Sequence, residues 1–378
     1  MKGVTHEVAN PPRPERAVLV GHAGRDGADL PRSLEELARL ADTAGARVLG
    51  SLVQRRGAVS PPHFIGKGKL AELKELAAEL AADVAIFNDD LSPPQVRNLE
   101  KALDVKVVDR SELILDIFAR RARTRESRLQ VELAQLQYML PRLTGMWRHL
   151  ERQAAGIGTR GPGETQLETD RRIVCERSAR LKRELQGVER ERETQRRRRR
   201  REFRAALVGY TNAGKSTLFN ALTRANVFVE DRLFATLDAT TRQMVSPERR
   251  LALLTDTVGF IRKLPHHLVA SFHSTLVEAV EADLLLHVVD AADPDLRRQM
   301  IAVEGVLEEL LETPRPTVLV FNKTDLVRDR DALAGLAVEF PGAFQVSART
   351  SEGLESLRAF VWEQAAERAA VGAGTRAS

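Results

Sequence analysis

Eight consecutive residues have the types and spacing of a phosphate-binding P-loop. Two glycines stand five positions apart, a lysine and a serine follow directly, and the segment separates an apolar run at 205–208 from a helical pattern at 216–222. At such a turn the backbone N–H groups point at phosphate, the lysine places charge beside the β- and γ-phosphates, and the serine hydroxyl can bind magnesium. The residues expected to bind a nucleoside triphosphate are Gly209, Tyr210, Thr211, Asn212, Ala213, Gly214, Lys215, Ser216 and Thr217.

A second motif, about a hundred residues downstream, indicates which base is bound. An apolar run at 317–321 leads into an Asn-Lys-Thr-Asp sequence. A carboxylate at Asp325 can accept hydrogen bonds from the ring N–H and the exocyclic amine of guanine, a donor pair that adenine lacks. We therefore predict GTP rather than ATP. The residues expected around the base are Asn322, Lys323, Thr324, Asp325, Ser347, Ala348 and Arg349.

Two loops between these motifs are candidates for sensing the γ-phosphate. The Gly259 N–H can donate to that phosphate, and Asp256 can hold magnesium through a water molecule. A threonine of the other loop can complete the magnesium coordination, but spacing alone does not choose among Thr236, Thr240 and Thr241. The expected switch residues are Phe234, Ala235, Thr236, Leu237, Asp238, Asp256, Thr257, Val258 and Gly259.

Two further positions bear on hydrolysis. Phe260 follows Gly259, where many GTPases carry a glutamine that orients the attacking water, and a phenyl ring cannot hold water. We expect slow intrinsic hydrolysis, with water positioned by backbone, by another loop or by a partner. The Asn212 amide can help to bind a monovalent cation, with potassium as the candidate. The alternative is that Asn212 only braces the loop through a side-chain to backbone hydrogen bond.

Composition limits the class of protein. The chain has 378 residues, 43% of them hydrophobic, which favours two or three globular domains. Its single cysteine, Cys175, excludes an internal disulfide framework and is expected to be packed within a helix. No apolar run approaches the roughly 18 residues of a membrane span. We expect a cytoplasmic monomer.

Positive charge is concentrated in one segment. Residues 170–204 hold fifteen Lys or Arg against seven Asp or Glu, although the whole chain carries only +5. Such a density can neutralise several phosphates of a nucleic acid, and the alternative is a solvated helix without a ligand. Without aromatic residues for stacking, contacts to the phosphate backbone are expected. The candidate RNA contacts are Arg160, Arg196, Arg197, Arg198, Arg199, Arg200 and Arg201.

The residues before this segment predict an α/β domain followed by a helical hairpin. Short apolar strands at 17–20, 48–53, 84–87 and 105–108 alternate with helical patterns, which is typical of a small parallel sheet. The Gly-Lys-Gly-Lys sequence at 66–69 is a candidate RNA phosphate contact, a second nucleotide site or a plain turn.

From 125 onwards the apolar period stays helical until a glycine-rich stretch at 155–163. A capping box at Thr165–Glu168 is then expected to restart the helix.

Four motifs together resemble the HflX family of bacterial ribosome-associated GTPases. They are Phe64–Lys69, Leu129–Leu136, Gly158–Glu164 and Phe234–Asp238. The resemblance implies that Thr236 is the magnesium ligand, that a hydrophobic residue is usual at Phe260, and that the protein binds the large ribosomal subunit and splits stalled or idle ribosomes. Two departures are the short C-terminus and Ala155, where a further glycine is expected.

The predicted fold class is α/β: a small parallel N-terminal domain, a long helical hairpin, and a P-loop GTPase domain with a mostly parallel sheet. The expected boundaries are 17–124, 125–201 and 202–370, with disordered ends at 1–16 and 371–378. Lys215, Thr236 and Gly259 are the expected catalytic residues. The alternative functions are an ATP-dependent RNA helicase that uses the N-terminal domain and a passive RNA-binding factor that blocks subunit association.

Overall fold

The structure is a computed structural model. It describes residues 13–374 apart from 25–28, 56, 144–161, 200–201, 224–229, 231, 246–250, 263–279 and 312. The chain forms two compact units, one of Met1–Ile117 with Pro141–Leu167 and the other of Phe118–Leu140 with Glu168–Ser378. Each unit combines one β-sheet with α-helices, so the predicted α/β fold class is confirmed.

The first unit is built on a four-stranded sheet. Its elements are β1 (Arg16–His22), α1 (Leu30–Thr43), β2 (Arg47–Gln54), α2 (Lys67–Glu79), β3 (Val84–Phe87), α3 (Pro93–Leu103), β4 (Lys106–Asp109) and the part of α4 (Arg110–Arg121) up to Ile117. All strands run parallel in the order β2-β1-β3-β4, and each of the four predicted runs lies in or overlaps one of them. Helical crossovers between parallel strands bury both faces of a sheet, which explains the uninterrupted apolar runs.

Local chemistry fixes where some of these helices begin. Helix α3 starts with a capping box, in which the Gln95 side chain accepts a hydrogen bond of 2.9 Å from the Ser92 N–H. This pairing satisfies backbone donors that have no partner within the helix. Behind it, Leu73, Phe87 and Leu99 form part of a buried apolar core.

The second unit is built on a six-stranded sheet. Its elements are α5 (Arg125–Leu143, up to Leu140 in this unit), α6 (Pro162–Arg199, from Glu168 in this unit), β5 (Phe203–Gly209), α7 (Lys215–Thr223), β6 (Thr240–Val245), β7 (Leu251–Asp256), β8 (Leu284–Asp290), α8 (Leu296–Leu310), β9 (Thr317–Asn322), α9 (Arg330–Glu339), β10 (Phe344–Gln345) and α10 (Leu354–Gly374). The strand order is β10-β9-β8-β5-β7-β6, and only β6 runs antiparallel to its neighbour.

This topology places β5 next to β7 and β8. The loops that follow three neighbouring parallel strands therefore meet at one edge of the sheet, where ligands of open α/β sheets bind. These loops carry the P-loop, the Asp256–Gly259 segment and the residues after Asp290.

Two long helices, α5 and α6, form the predicted hairpin. Leu129 and Leu133 of α5 pack against Leu181 of α6, and Arg177 donates to Glu132 at 2.7 and 2.9 Å. The position at which α6 begins differs from the prediction, because the helix already starts at Pro162.

The predicted capping box at Thr165–Glu168 is therefore wrong, since these residues lie inside α6. Proline is well suited to a first helical position because its φ is preset and its missing N–H would have no partner there. Most of the glycine-rich tip, with Ala155 and Arg160, lies outside the described residues.

Two smaller expectations also change. Cys175 is exposed on α6 rather than packed, because the apolar stripe of this helix faces α5 through other positions. Helix α10 continues to Gly374, into the tail expected to be disordered from 371. Among the described helices, none is both long enough and apolar enough to cross a membrane.

Candidate nucleotide-binding site

The P-loop forms the turn between β5 and α7, as its sequence predicts. Gly214 has φ +87°, and a Cβ there would lie 2.4 Å from Asn322 Nδ2, so only glycine fits. The Lys215 ammonium donates hydrogen bonds to the carbonyl oxygens of Gly209, at 3.0 Å, and Tyr210, at 2.8 Å. Two backbone carbonyls thus hold the lysine charge inside the loop.

Burial shifts the proton affinity of the charged groups behind this loop. Lys215 is buried, and its desolvation lowers its pKa to about 8 even though the Asp256 carboxylate opposes the shift. Burial likewise raises the pKa of Asp256, against the opposing effects of Ser216 and Lys215. The site therefore holds charges that solvent does not stabilise, which is typical of groups that interact with a ligand.

Three side-chain oxygens converge next to Lys215. The Ser216 hydroxyl donates to Asp256 Oδ2 at 2.6 Å, and its oxygen lies 2.7 Å from the Thr236 hydroxyl. The other carboxylate oxygen, Asp256 Oδ1, is buried and has no hydrogen-bond partner among the described residues. A set of hydroxyl and carboxylate oxygens with one unsatisfied acceptor is the donor chemistry that magnesium prefers.

The structure distinguishes among the three threonines that sequence spacing left open. Thr236 lies beside Ser216. Thr240 and Thr241 belong to β6, where the Thr241 hydroxyl pairs with the Thr255 hydroxyl at 2.9 Å. Of the three, Thr236 is the one whose hydroxyl meets the Ser216 oxygen.

The second switch segment runs against the P-loop. Phe260 N donates to Gly209 O at 3.1 Å, and Thr211 N donates to Phe260 O at 2.7 Å. The Phe260 ring is 1% exposed, so the side chain at this position packs into the core and does not face the phosphate site. A Cβ on Gly259 would lie 2.7 Å from Thr211 Cα, so the close approach requires glycine.

The residues assigned to the base also come together. The Asn322 side chain donates to Ala213 O at 3.0 Å and accepts from Ala348 N at 3.0 Å, and the Ser347 hydroxyl donates to Asp325 Oδ1 at 2.7 Å. The N–H of Ala348, a residue expected around the base, thus already has an acceptor, and a bond from it to guanine would be shared.

Asp290, the ion-pair partner of Lys323, is a residue of this site that was not predicted from the sequence. Lys323, at φ +62°, donates to Asn212 O at 2.8 Å and forms an ion pair of 2.7 Å with Asp290. Asp290 ends β8, the strand beside β9, so its place directly after a buried strand was the available signal. Asp290 thus fixes a lysine that was expected near the base.

Other predicted residues have structural partners. The Thr257 hydroxyl donates to Leu207 O at 2.6 Å within the buried sheet edge, and Phe234 N donates to the Thr211 hydroxyl at 2.9 Å. Asn212 makes no side-chain hydrogen bond to any described residue, so the bracing bond considered for it is not found there. The remaining predicted residues lie as follows: Leu237 and Val258 are buried, Ala235, Thr217 and Thr324 are half-buried, and Arg349 is exposed.

Two residues that were not predicted line the same pocket. Glu230 and Arg232 stand with the P-loop and switch residues around a pocket of about 50 Å³. Their signal in the sequence was only their position just before Phe234.

The predicted RNA contacts fall largely outside the described part of the chain. Arg160, Arg200 and Arg201 lie outside it. Arg196, Arg197, Arg198 and Arg199 belong to the last turn of α6, and the placement of their side chains is not described.

Family models match three consecutive segments of the chain. Residues 31–119 match a model described as GTP-binding GTPase N-terminal, and residues 121–199 match one described as GTP-binding GTPase Middle Region. Residues 204–323 match a model described as 50S ribosome-binding GTPase.

Curated relatives are similar over most of their length. The GTPase HflX of Caldanaerobacter subterraneus subsp. tengcongensis is 54% identical over 317 residues, which cover 83% of this chain and 73% of that protein. The GTPase HflX of Escherichia coli is 46% identical, with 91% and 81% covered. Among solved structures, the complex of SsGBP with GDP aligns with 94% of this chain and 99% of its own at 25% identity, with a TM-score of 0.52.

Proposed function

Because this chain belongs to the HflX family of GTPases, we propose that it is a GTP-driven switch that binds the large ribosomal subunit and separates stalled or idle ribosomes. The chain carries the family's GTPase domain and hydrolyses GTP. The observation that carries the proposal is the meeting of Thr236 with Ser216 and Asp256, in a domain described as ribosome-binding. A loop that senses the γ-phosphate there makes ribosome binding depend on the nucleotide.

The nucleotide would be held at both ends. Lys215 and the P-loop N–H groups hold the phosphates, and Asp325, fixed by its bond with Ser347, selects guanine over adenine. Magnesium suits the oxygens of Ser216 and Thr236, with Asp256 acting through water, and when bound it neutralises charge between the β- and γ-phosphates.

Hydrolysis by the isolated protein would be slow. Phe260 is buried against the core, so no side chain at that position orients the attacking water. A partner that rearranges the switch loops would then accelerate the reaction, as proteins do that supply groups in trans. Turnover of tens per second without any partner would contradict this.

Potassium is a candidate second cation. The Asn212 amide stands in the P-loop at φ +62° without a side-chain bond to the described residues, which leaves its oxygen able to accept a cation. GTPase rates should then be higher in potassium chloride than in sodium chloride. Equal rates would assign Asn212 to the loop's shape alone.

The arginine-rich end of α6, with Arg160 at the tip, is the proposed contact to ribosomal RNA. Alanine replacement of Arg196, Arg197, Arg198, Arg199, Arg200 and Arg201 should weaken RNA binding and reduce its salt dependence, because each phosphate contact releases counterions. Unchanged salt dependence would make this segment a solvated helix.

Sedimentation of ribosomes through sucrose gradients tests the whole proposal. With GTP or a nonhydrolysable analogue the protein should travel with the large subunit and the 70S peak should fall, whereas GDP and ATP should have little effect. Binding energy would then drive splitting, with hydrolysis serving release. Splitting with GTP and not with the analogue would overturn this order of events.

The same experiment separates the alternatives. Subunit binding that is independent of nucleotide would favour a passive blocker. RNA unwinding that survives both Asp325→Asn and Lys215→Ala would favour a helicase that uses the first unit.

A further inference from the structure

Asp238 joins the first switch loop to the start of helix α5. Its Oδ2 atom accepts hydrogen bonds from the backbone N–H groups of Arg123, at 3.2 Å, and Thr124, at 3.3 Å. Its Oδ1 atom accepts from the Thr124 hydroxyl at 2.6 Å. One carboxylate therefore takes three donors from two residues that are 114 to 115 positions away in the chain.

Thr124 is itself the cap of helix α5. Its hydroxyl oxygen accepts from Ser127 N at 3.1 Å, and the Ser127 hydroxyl donates to Thr124 O at 3.1 Å. A threonine at this position satisfies a donor that has no partner inside the helix. The Thr124 hydroxyl thus holds the first turn of α5 and donates its proton to Asp238.

Two more contacts tie the same loop to the same place. The rings of Phe234 and Phe118 meet edge to face, with centroids 4.7 Å apart. Glu230 forms an ion pair of 2.5 Å with Arg121. Together with Asp238, these contacts hold the loop on both sides of Thr236.

The loop is at the same time part of the nucleotide site. The Thr236 hydroxyl lies 2.7 Å from Ser216 Oγ, and Phe234 N donates to the Thr211 hydroxyl. Two residues of extended chain span at most about 7 Å. A displacement of Thr236 from the nucleotide site is therefore transmitted to Asp238 and the start of α5.

We propose that Asp238 is a positioning residue for GTP hydrolysis, which through Thr124 keeps Thr236 at the magnesium and γ-phosphate position and reports that position to helix α5. The inference rests on the role proposed for Thr236. Coupling between two sites is reciprocal. A partner that holds α5 in place therefore also favours the GTP-bound arrangement of the loop.

Affinity for fluorescent nucleotides in the full-length protein tests the link. Thr124→Val keeps the shape of the side chain and removes its hydroxyl. Asp238→Asn leaves one acceptor oxygen for the three hydrogen bonds that both carboxylate oxygens accept in the wild type. Each should weaken binding of a magnesium-bound, nonhydrolysable GTP analogue about fivefold, the size of one lost cap, and leave GDP binding unchanged. Thr124→Ser should restore the wild-type affinity.

Two controls make the result specific. Thr241→Val removes a hydroxyl that pairs with Thr255 in the β6–β7 ladder, and it should leave both affinities unchanged. The double variant of Thr124 and Asp238 should lose no more than the larger single loss, because both changes break one link. Additive losses, or equal weakening for GDP and the analogue, would overturn the proposal.

A third variant tests the role of Thr236 separately from the role of Asp238. Thr236→Ala should weaken the GTP analogue and not GDP. If it does and the Thr124 and Asp238 variants behave as wild type, the positioning role of Asp238 is wrong while the switch remains. If Thr236→Ala has no selective effect, the proposed switch itself fails.

Hydrogen exchange gives the readout on the helix. In the wild type, the amides of the first turn of α5 should exchange several-fold more slowly with the GTP analogue than with GDP. Asp238→Asn should abolish this difference. A difference that persists in the variant would show that the nucleotide state reaches α5 by another route, against the proposal.

Discussion

The two sheets use buried polar groups in opposite ways at the same structural position. In the first unit, the groups that follow β3 and β4 bind one another: Asn88 Oδ1 accepts from the Ser33 hydroxyl at 2.9 Å and from Arg110 at 3.2 Å, and Asp109 accepts from Arg142 at 2.9 Å. Because these Asn88 and Asp109 oxygens already have protein donors, the network favours a single packing.

The second unit leaves part of its polar network open. Among the described residues, Asp256 Oδ1 has no partner and the Lys215 ammonium donates to carbonyl oxygens only. Burial displaces the pKa of each group. Unsatisfied buried charge costs stability and is retained where a ligand supplies the missing partner. At the carboxyl edge of the second sheet, polar groups that do not satisfy one another stay available for a ligand.

The largest loss of stability is expected from removing Arg110 from the buried polar network of the first unit. Arg110→Met removes the ion-pair partner of the half-buried Glu36 and one of the two donors to the buried Asn88 Oδ1, and should cost about 3 to 5 kcal/mol of unfolding free energy. Urea denaturation measures this. GTP affinity should not change, and Arg39→Met, at an exposed position on α1, is the matched control. Similar losses of unfolding free energy for both variants would contradict a stabilising role for this network.

The larger of two expected pH effects on stability lies in the GTPase unit. Burial, with the charge of Lys215 second, lowers the pKa of His287 to about 4, below its ordinary 6.5. The unfolded chain then binds the proton more tightly, so stability is complete above pH 6.5 and falls as the pH drops towards 4, by about 3 kcal/mol.

Unfolding of His287→Leu should lack this part of the pH dependence. His63→Leu, in the first unit, should keep it. The same slope in the wild type and His287→Leu would rule out this histidine as the source.

Replacing Lys215 should weaken GTP binding and at the same time stabilise the nucleotide-free protein. Lys215→Met removes a charge that donates to phosphate, and should weaken GTP binding by about 2 to 3 kcal/mol, or about 30- to 150-fold. Because burial disfavours the lysine charge, the nucleotide-free variant should melt at a higher temperature. Calorimetry checks both. Lys106→Met, at an exposed position, should change neither, and a lower melting temperature for Lys215→Met would contradict this expectation.

The smallest effect is expected at an exposed ion pair of the first unit. Hydrogen bonds from Arg16 lower the pKa of Asp83 to about 2, but both side chains are nearly half exposed and solvent screens them. The stabilisation is present above pH 3.8 and lost as the pH falls towards 2. Thermal melts of Asp83→Asn at pH 7 should differ from wild type by less than those of Arg110→Met and Lys215→Met.

Features that depend on neighbouring residues were predicted from the sequence more closely than features that depend on contacts between distant residues. The strands at 84–87 and 105–108 were located to within a residue, because a buried parallel strand leaves an uninterrupted apolar run. The start of α6 was misplaced because two signals competed, proline at a first helical position and a capping box three residues later. The exposure of Cys175 was misjudged because periodicity does not say which face of a helix another element covers.

The sequence by itself determined the chemistry that lies within short stretches of chain: a P-loop of fixed spacing, a guanine-reading motif and the absence of a water-orienting glutamine at Phe260. Tertiary structure decided which carboxylate holds Lys323 and that Asp238 accepts hydrogen bonds from the start of a helix 114 positions away, and it placed Thr236, which only the family resemblance had singled out, beside Ser216. The physical reason is that backbone spacing constrains neighbours within a loop, whereas the meeting of distant loops depends on strand order and packing, which no local pattern contains.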